Sequence, residues 1–306
     1  MIKSVIRSIQ NQNMEEIEII IINDFSKDNS KKIVEEIQKE DPRIKIINNP
    51  KKYGILYSRT IGVLEAKGNY ITNLDHDDLF LDEDVLTTTY IEAEKGNFDI
   101  LTFLAVGAKD YYAPISKFKD DLCSHNPNNF TVYQPELSYY LLFKNEQFSF
   151  VDTRIWAKLI KNTVYKKAMD LLGKERYSVF NIINEDLIGI FSISLIAKSY
   201  KYFRKYGIFH YCDCKYTTSG KVPNDHFTYV DIFFTEIIFD LSKNDKKRYA
   251  AKNIIQIKKK YYYTIKEEKN KLYLIKVIKK ILDCQYIEDK LKTKIKKEEN
   301  SFLEFN

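Results

Sequence analysis

Tyr70-Ile71-Thr72-Asn73-Leu74-Asp75-His76-Asp77-Asp78 is a short apolar run that ends in three carboxylates within four positions. The run reads as a buried strand. Side chains alternate along an extended backbone, so Asp75 and Asp77 are expected on one side. Two carboxylates about 4 Å apart repel by about 4 kcal/mol at an effective dielectric of about 20. A fold that keeps such a pair compensates it with a cation or a shared proton. Oxygen ligands without cysteine favour a hard ion such as Mg²⁺ or Mn²⁺. A solvated acidic turn after a strand is the other reading, and this stretch alone does not choose between them.

The surrounding sequence does. Ile2, Val5, Ile6 and Ile9 recur at helical spacing and predict a helix over 2–12. Ile17-Glu18-Ile19-Ile20-Ile21-Ile22 is a β-branched run, read as a buried strand. It leads into Asn23-Asp24-Phe25-Ser26-Lys27-Asp28-Asn29-Ser30, a loop rich in helix-capping residues. Ile33, Val34 and Ile37 mark a helix over 29–40, which Asp41-Pro42 stops. A strand over 43–47 and the turn Asn48-Asn49-Pro50 follow. Tyr53-Gly54 opens a third helix with Leu56, Thr60 and Val63 on one face. Beyond the opening stretch, a helix over 83–95 and a strand over 99–103 are expected. This alternation predicts an α/β fold: a mostly parallel open sheet, covered on both faces, with right-handed crossovers. Ligands of such sheets bind outside the carboxyl ends of the strands. The loops Asp24–Asp28 and Asp75–Asp78 both follow strands at that rim, which favours a functional site over a solvated turn.

The second half is less regular. Residues 107–150 are aromatic-rich and weakly periodic, as in an excursion over a sheet edge. The single tryptophan lies in Ile155-Trp156-Ala157-Lys158-Leu159-Ile160. An apolar-poor stretch ends in Asn184-Glu185-Asp186-Leu187, and a helix-like segment runs on to Ala197. Tyr206–Tyr211 reads as a strand and Thr217–Gly220 as a polar turn. From Asp231 the pattern is helical: Ile254, Ile257, Tyr261 and Ile265 share one face, and Leu272, Ile275, Ile278 and Leu282 another.

A chain of 306 residues, 44% hydrophobic and 30% charged, has room for one large α/β domain plus an accessory segment in an ordinary soluble protein. The net charge of +6 is uneven: residues 241–306 hold 19 Lys and Arg against 9 Asp and Glu, which leaves −4 for the rest. A basic helical tail is either a solvated cap or oligomer contact, or a peripheral contact with an anionic membrane surface; nucleic acid is not an expected partner. Cys212-Asp213-Cys214 lacks the spacing of a zinc knuckle, and four cysteines without a framework suit a reduced compartment. No run approaches the ~20 apolar residues of a membrane span. Met1 leads straight into an amphipathic pattern without signal-peptide form. A cytoplasmic protein is the expectation.

The chain resembles a family 2 glycosyltransferase of the GT-A fold. The resemblance rests on Ser8-Ile9-Gln10-Asn11-Gln12, Ile19–Ser30, Arg43–Asn49, Gly54 with Ser58-Arg59-Thr60-Ile61-Gly62, and Ala66–Ile71. It continues with Leu74–Asp78, Trp156–Ile160, Glu185-Asp186-Leu187, Tyr211 and Ser219. It covers roughly residues 1–220, with 221–306 as a helical, basic C-terminal extension. It implies transfer of a sugar from a nucleotide-sugar donor, usually UDP-linked, to an acceptor hydroxyl with inversion. The acceptor would be a carbohydrate or a lipid- or protein-linked glycan.

The resemblance also assigns residues. Asp24 and Arg59 would contact the nucleoside. Asp75 and Asp77 match the family's DxD pair, with Asp77 on a divalent metal (Mn²⁺ or Mg²⁺) and Asp75 on the ribose or the metal shell. Asp186 is the candidate base, its other role being a helix N-cap. Trp156, Glu185, Asp78 and His210 are candidates for the acceptor side or the metal shell. The family's first strand and its turn have no counterpart before the helix over 2–12, so this chain is expected to lack a central strand. That departure motivates the alternative of a catalytically impaired nucleotide- or partner-binding protein.

Overall fold

The structure, a computed structural model, describes residues 1–108, 128–133, 143–144, 147–148, 154–178 and 185–211, with helical positions at 235–237, 240, 241, 277 and 293. Apolar spacing gives helix α1 (Ile2–Gln10) a buried face at Val5 and Ile6. Strand β1 (Ile19–Asn23) pairs in parallel with β2 (Ile44–Asn48), Ile19 opposite Ile44 and Asn23 opposite Asn48. Helix α2 (Ser30–Gln38) is their crossover and buries Val34 and Ile37. Ile6, Ile19, Val34, Ile37 and Ile44 close one core cluster. Helix α3 (Ile55–Glu65) buries Leu56, Thr60 and Val63, the face its spacing predicts. Gly54 precedes it at φ 95°, a backbone conformation that glycine adopts without strain.

The chain continues through β3 (Tyr70–Ile71), β4 (Leu79–Phe80), helix α4 (Val85–Lys95), β5 (Ile100–Ala108) and β6 (Phe130–Tyr133). The short strands β7 (Phe143–Lys144) and β8 (Gln147–Phe148) pair antiparallel. Then come β9 (Lys158–Lys161), helices α5 (Asn162–Leu172), α6 (Lys174–Tyr177) and α7 (Glu185–Ile196), and the long strand β10 (Ser199–Tyr211). One sheet runs β3-β9-β5-β10-β4, and β6 also pairs with β10. Its core holds Phe80, Leu101, Phe103, Trp156, Leu159 and Ile208.

The α/β class holds, and the sheet is mixed. β5 and β10 are parallel, while β9, β4 and β6 join antiparallel. Antiparallel neighbours need no crossover helix, so short strands with turn-like flanks can enter that way. β1 is half-buried beyond Ile19 rather than fully buried, since its described pairing is with β2 alone. Helix α5 occupies part of the stretch that reads as apolar-poor; it buries Val164, Tyr165, Ala168, Met169 and Leu172.

Three ties fix the frame around the opening stretch. The Ser8 hydroxyl accepts the Phe80 N–H, and the Gln12 side chain donates to Asp82 O and accepts the Leu86 N–H. The Asn162 amide donates to Ala66 O and Gly68 O, which anchors α5 on the loop ahead of β3. Glu18 Oε1 accepts the N–H groups of Lys67 and Gly68.

The chain divides into two compact units, Met1–Thr217 and Thr218–Asn306. The apolar faces expected beyond residue 250, the four cysteines, Ser219 and most of 107–150 lie outside the described residues. No helix among the described residues is long and apolar enough to cross a membrane.

Candidate active site

The opening stretch leaves β3 at Ile71, and residues 76–77 form a turn closed by the Asp78 N–H on Asp75 O at 3.1 Å. Strand alternation therefore does not govern its carboxylates, contrary to the sequence expectation. Each finds its own surroundings. Asp75 faces Arg59, whose Nη2 donates to Oδ1 at 2.7 Å. Asp77 Oδ1 lies 3.9 Å from His76 Nδ1, and the His76 side chain is 77% exposed. Asp78 is fully buried; its Oδ1 lies 2.9 Å from His210 Nδ1 and accepts the Tyr211 N–H at 3.2 Å. Asp78 Oδ2 is buried with no hydrogen-bond partner among the described residues.

Arg59 is the centre of the site. Besides Asp75, its Nη1 donates to Glu185 Oε1 at 3.2 Å and to Asp186 Oδ1. These partners are carboxylates of the chain itself, whereas the resemblance implies a nucleoside contact for Arg59. Burial opposes the charge of Arg59, but Asp75, Asp186 and Glu185 hold its pKa well above the usual value. Burial raises the pKa of Glu185, and the neighbouring charge of Asp186 adds to it. Burial raises Asp186 as well, against the pull of Arg59. Both acids occupy the first turn of α7, where the helix dipole favours negative charge. Beside them the Tyr165 hydroxyl accepts the Asn73 amide at 3.4 Å, and burial pushes its pKa up.

Asp24 sits at the end of β1. Its carboxylate accepts Asn49 Nδ2 at 2.9 Å and the N–H groups of Tyr53 and Gly54, each at 2.8 Å. It thereby pins the loop that leads into α3 and so fixes the root of Arg59. Asn23 Oδ1 accepts the Ser26 N–H and holds the turn around Phe25, which lies in the left-handed region at φ 62°. Asp28 is held below the usual carboxylate range by the Ser30 N–H first, with a smaller contribution from the charge of His76.

Trp156 and His210 belong to the floor of the site. Trp156 is 6% exposed, the His210 ring stacks on it at 4.8 Å, and the Arg154 guanidinium lies 4.6 Å from its ring centre. So covered, the indole packs as a core side chain. His210 is directed at Asp78 through Nδ1; burial lowers and the Asp78 hydrogen bond raises its proton affinity, with a net rise.

Asp75 and Asp77 supply oxygen donors suited to a hard divalent ion. Among the described residues no three His, Cys, Asp or Glu side chains gather into a metal cage. The sequence reading missed the link from Arg59 to Glu185 and Asp186, and the Arg154 and Tyr165 neighbours. Positions 126 residues apart carry no spacing signal for such a contact.

A model of glycosyl transferase family 2 matches residues 1–169, more than half of the chain. Among curated proteins, a GalNAc(5)-diNAcBac-PP-undecaprenol beta-1,3-glucosyltransferase of Campylobacter jejuni is 37% identical over 97 residues, which is 31% of each chain. The cholesterol galactosyltransferase of Borreliella burgdorferi is 29% identical over 218 residues, 66% of this chain and 54% of that one. The matched segment spans about a third to a half of these relatives' length. Among solved structures, S. aureus TarS 1-349 in complex with UDP superposes with a TM-score of 0.63 at 16% identity, over 98% of this chain and 84% of that one. The fold is accordingly of the GT-A type seen in TarS.

Proposed function

The chain belongs to glycosyl transferase family 2, and on that premise we propose that it transfers a sugar from a UDP-linked donor to an acceptor hydroxyl with inversion. The observation that carries this reading is the meeting of Asp75, from the turn after β3, with Glu185 and Asp186, from the start of α7, on the guanidinium of Arg59 in one partly buried cluster. The UDP and UDP-GlcNAc complexes of TarS support a UDP-linked donor. The undecaprenol-linked name of the Campylobacter relative supports a lipid-linked glycan among acceptor classes.

The loop of Asp24 and the turn of Asp75 hold the nucleoside side of the donor. Asp77, with Asp75, would hold a divalent metal, Mn²⁺ or Mg²⁺, which when bound supplies Lewis-acid stabilisation of the departing diphosphate. Asp186 accepts the proton of the acceptor hydroxyl. The hydroxyl oxygen bonds to the anomeric carbon as the bond from that carbon to the diphosphate oxygen breaks on the opposite side. The raised proton affinity of Asp186 brings it closer to the working range of a general base at neutral pH. Glu185 and Arg59 share its charge balance.

The test is UDP release from a panel of UDP-sugars, with Mn²⁺ or a chelator, beside Asp77→Ala. Turnover should need the metal and should fall by about 10²-fold or more in the variant, as expected when a Lewis-acid contribution of several kcal/mol is lost. Turnover unchanged by both would remove the metal role. UDP binding without turnover in the wild type would favour the nucleotide-binding alternative.

A further inference from the structure

Arg59 is anchored at its root and divided at its tip. Its helix, α3, is held by Asp24 through the Gly54 N–H. One residue on, the fully buried Thr60 hydroxyl donates to Leu56 O and lies 3.3 Å from Met169 Sδ of α5. At the tip, Nη2 donates to Asp75 while Nη1 donates to Glu185 and Asp186. The acceptors come from two segments with no common secondary element: the turn after β3 and the first turn of α7. A guanidinium is a rigid planar fork, so acceptors on two of its nitrogens are fixed relative to one another. An arginine kept only to neutralise one buried carboxylate would not gather three, since the three repel each other. Spanning both segments accounts for the third.

We propose that Arg59 is a positioning residue: its guanidinium ties the donor-holding turn to the base-carrying helix and so sets the approach of Asp186 to the donor's anomeric carbon. This rests on the glycosyl-transfer reading. It differs from the nucleoside contact that the family resemblance implies for Arg59. A lysine cannot do the same, because an ammonium is a point charge without the fork. A drift of about 1 Å between base and reacting carbon is enough to cost about 10²-fold in rate.

The experiment uses the full chain as wild type, Arg59→Ala and Arg59→Lys, with UDP affinity from calorimetry and kcat from UDP-sugar turnover. Both variants should lose about 10²-fold in kcat while UDP affinity stays near the wild-type value. Millimolar guanidine should restore part of the lost kcat of Arg59→Ala, and sodium chloride at equal ionic strength should not. Weakened UDP binding with kcat intact at saturation would make Arg59 a donor contact and overturn the proposal. Absence of guanidine rescue in a folded Arg59→Ala would overturn it too. If Arg59→Ala does not fold, Arg59→Lys decides: a wild-type kcat there contradicts the proposal, and a selective loss of kcat upholds it. A wild type that turns over no UDP-sugar would instead sink the transfer reading, and the positioning role with it.

Discussion

Asp75 engages a guanidinium, Asp77 lies beside an exposed imidazole, and Asp78 is sealed under His210. Their adjacency in the chain is legible as a motif; their separate surroundings are not, because a turn rather than a strand carries them. Trp156 makes the same point. A lone tryptophan reads equally as a sugar platform or as core, and only the stacked His210 and the nearby Arg154 decide for core. Trp156→Ala should therefore cost about 3–5 kcal/mol in urea unfolding, as for other large buried aromatics, and leave UDP affinity of the folded protein in place. Unaltered stability with impaired sugar transfer would return the tryptophan to the acceptor site.

At the scale of elements, α3 was readable because Leu56, Thr60 and Val63 repeat on one face with a glycine ahead of them. Helix α5 was not, although Val164, Tyr165, Ala168, Met169 and Leu172 also recur at helical spacing. Lys166, Lys167 and Asp170 interleave them, and the window reads as polar until the periodicity is counted. β10 was visible only over its last six residues, since the aromatic and basic side chains of Tyr200–Arg204 break the period of two at Tyr202-Phe203. Between elements, Asp41 is the joint of the N-terminal layer. It accepts Arg43 Nε at 3.0 Å and Nη2 at 2.9 Å, and Gln10 Nε2 at 2.9 Å. The Arg43 side chain, against the cost of burial, holds the Asp41 carboxyl well below the usual carboxylate range. A depressed folded-state pKa stabilises above the unfolded value of about 4 and loses that contribution as pH falls through the folded one. Asp41→Asn should cost about 1.5–3 kcal/mol at neutral pH. The gap from wild type in urea unfolding should narrow as the pH is lowered below about 4. A gap that does not change with pH would show that the charge of Asp41 is not what holds the joint.

For the whole molecule, the α/β class follows from alternating elements, whereas the loops of Asp24 and Asp75 follow strands of two separate sheets. The mixed sheet is not legible in that alternation, since strands that join antiparallel need no crossover to announce them. Nor is the cluster that unites the turn after β3 with α7, because it depends on a contact across 126 residues. That cluster makes the central claim testable in one measurement: the kcat of UDP-sugar turnover by Asp186→Asn, taken with its affinity for UDP. Loss of the general base should lower kcat by about 10²–10⁴-fold while UDP still binds as it does to the wild type. Turnover at the wild-type rate in Asp186→Asn would contradict the assignment of the base and, with it, the chemistry proposed for this site.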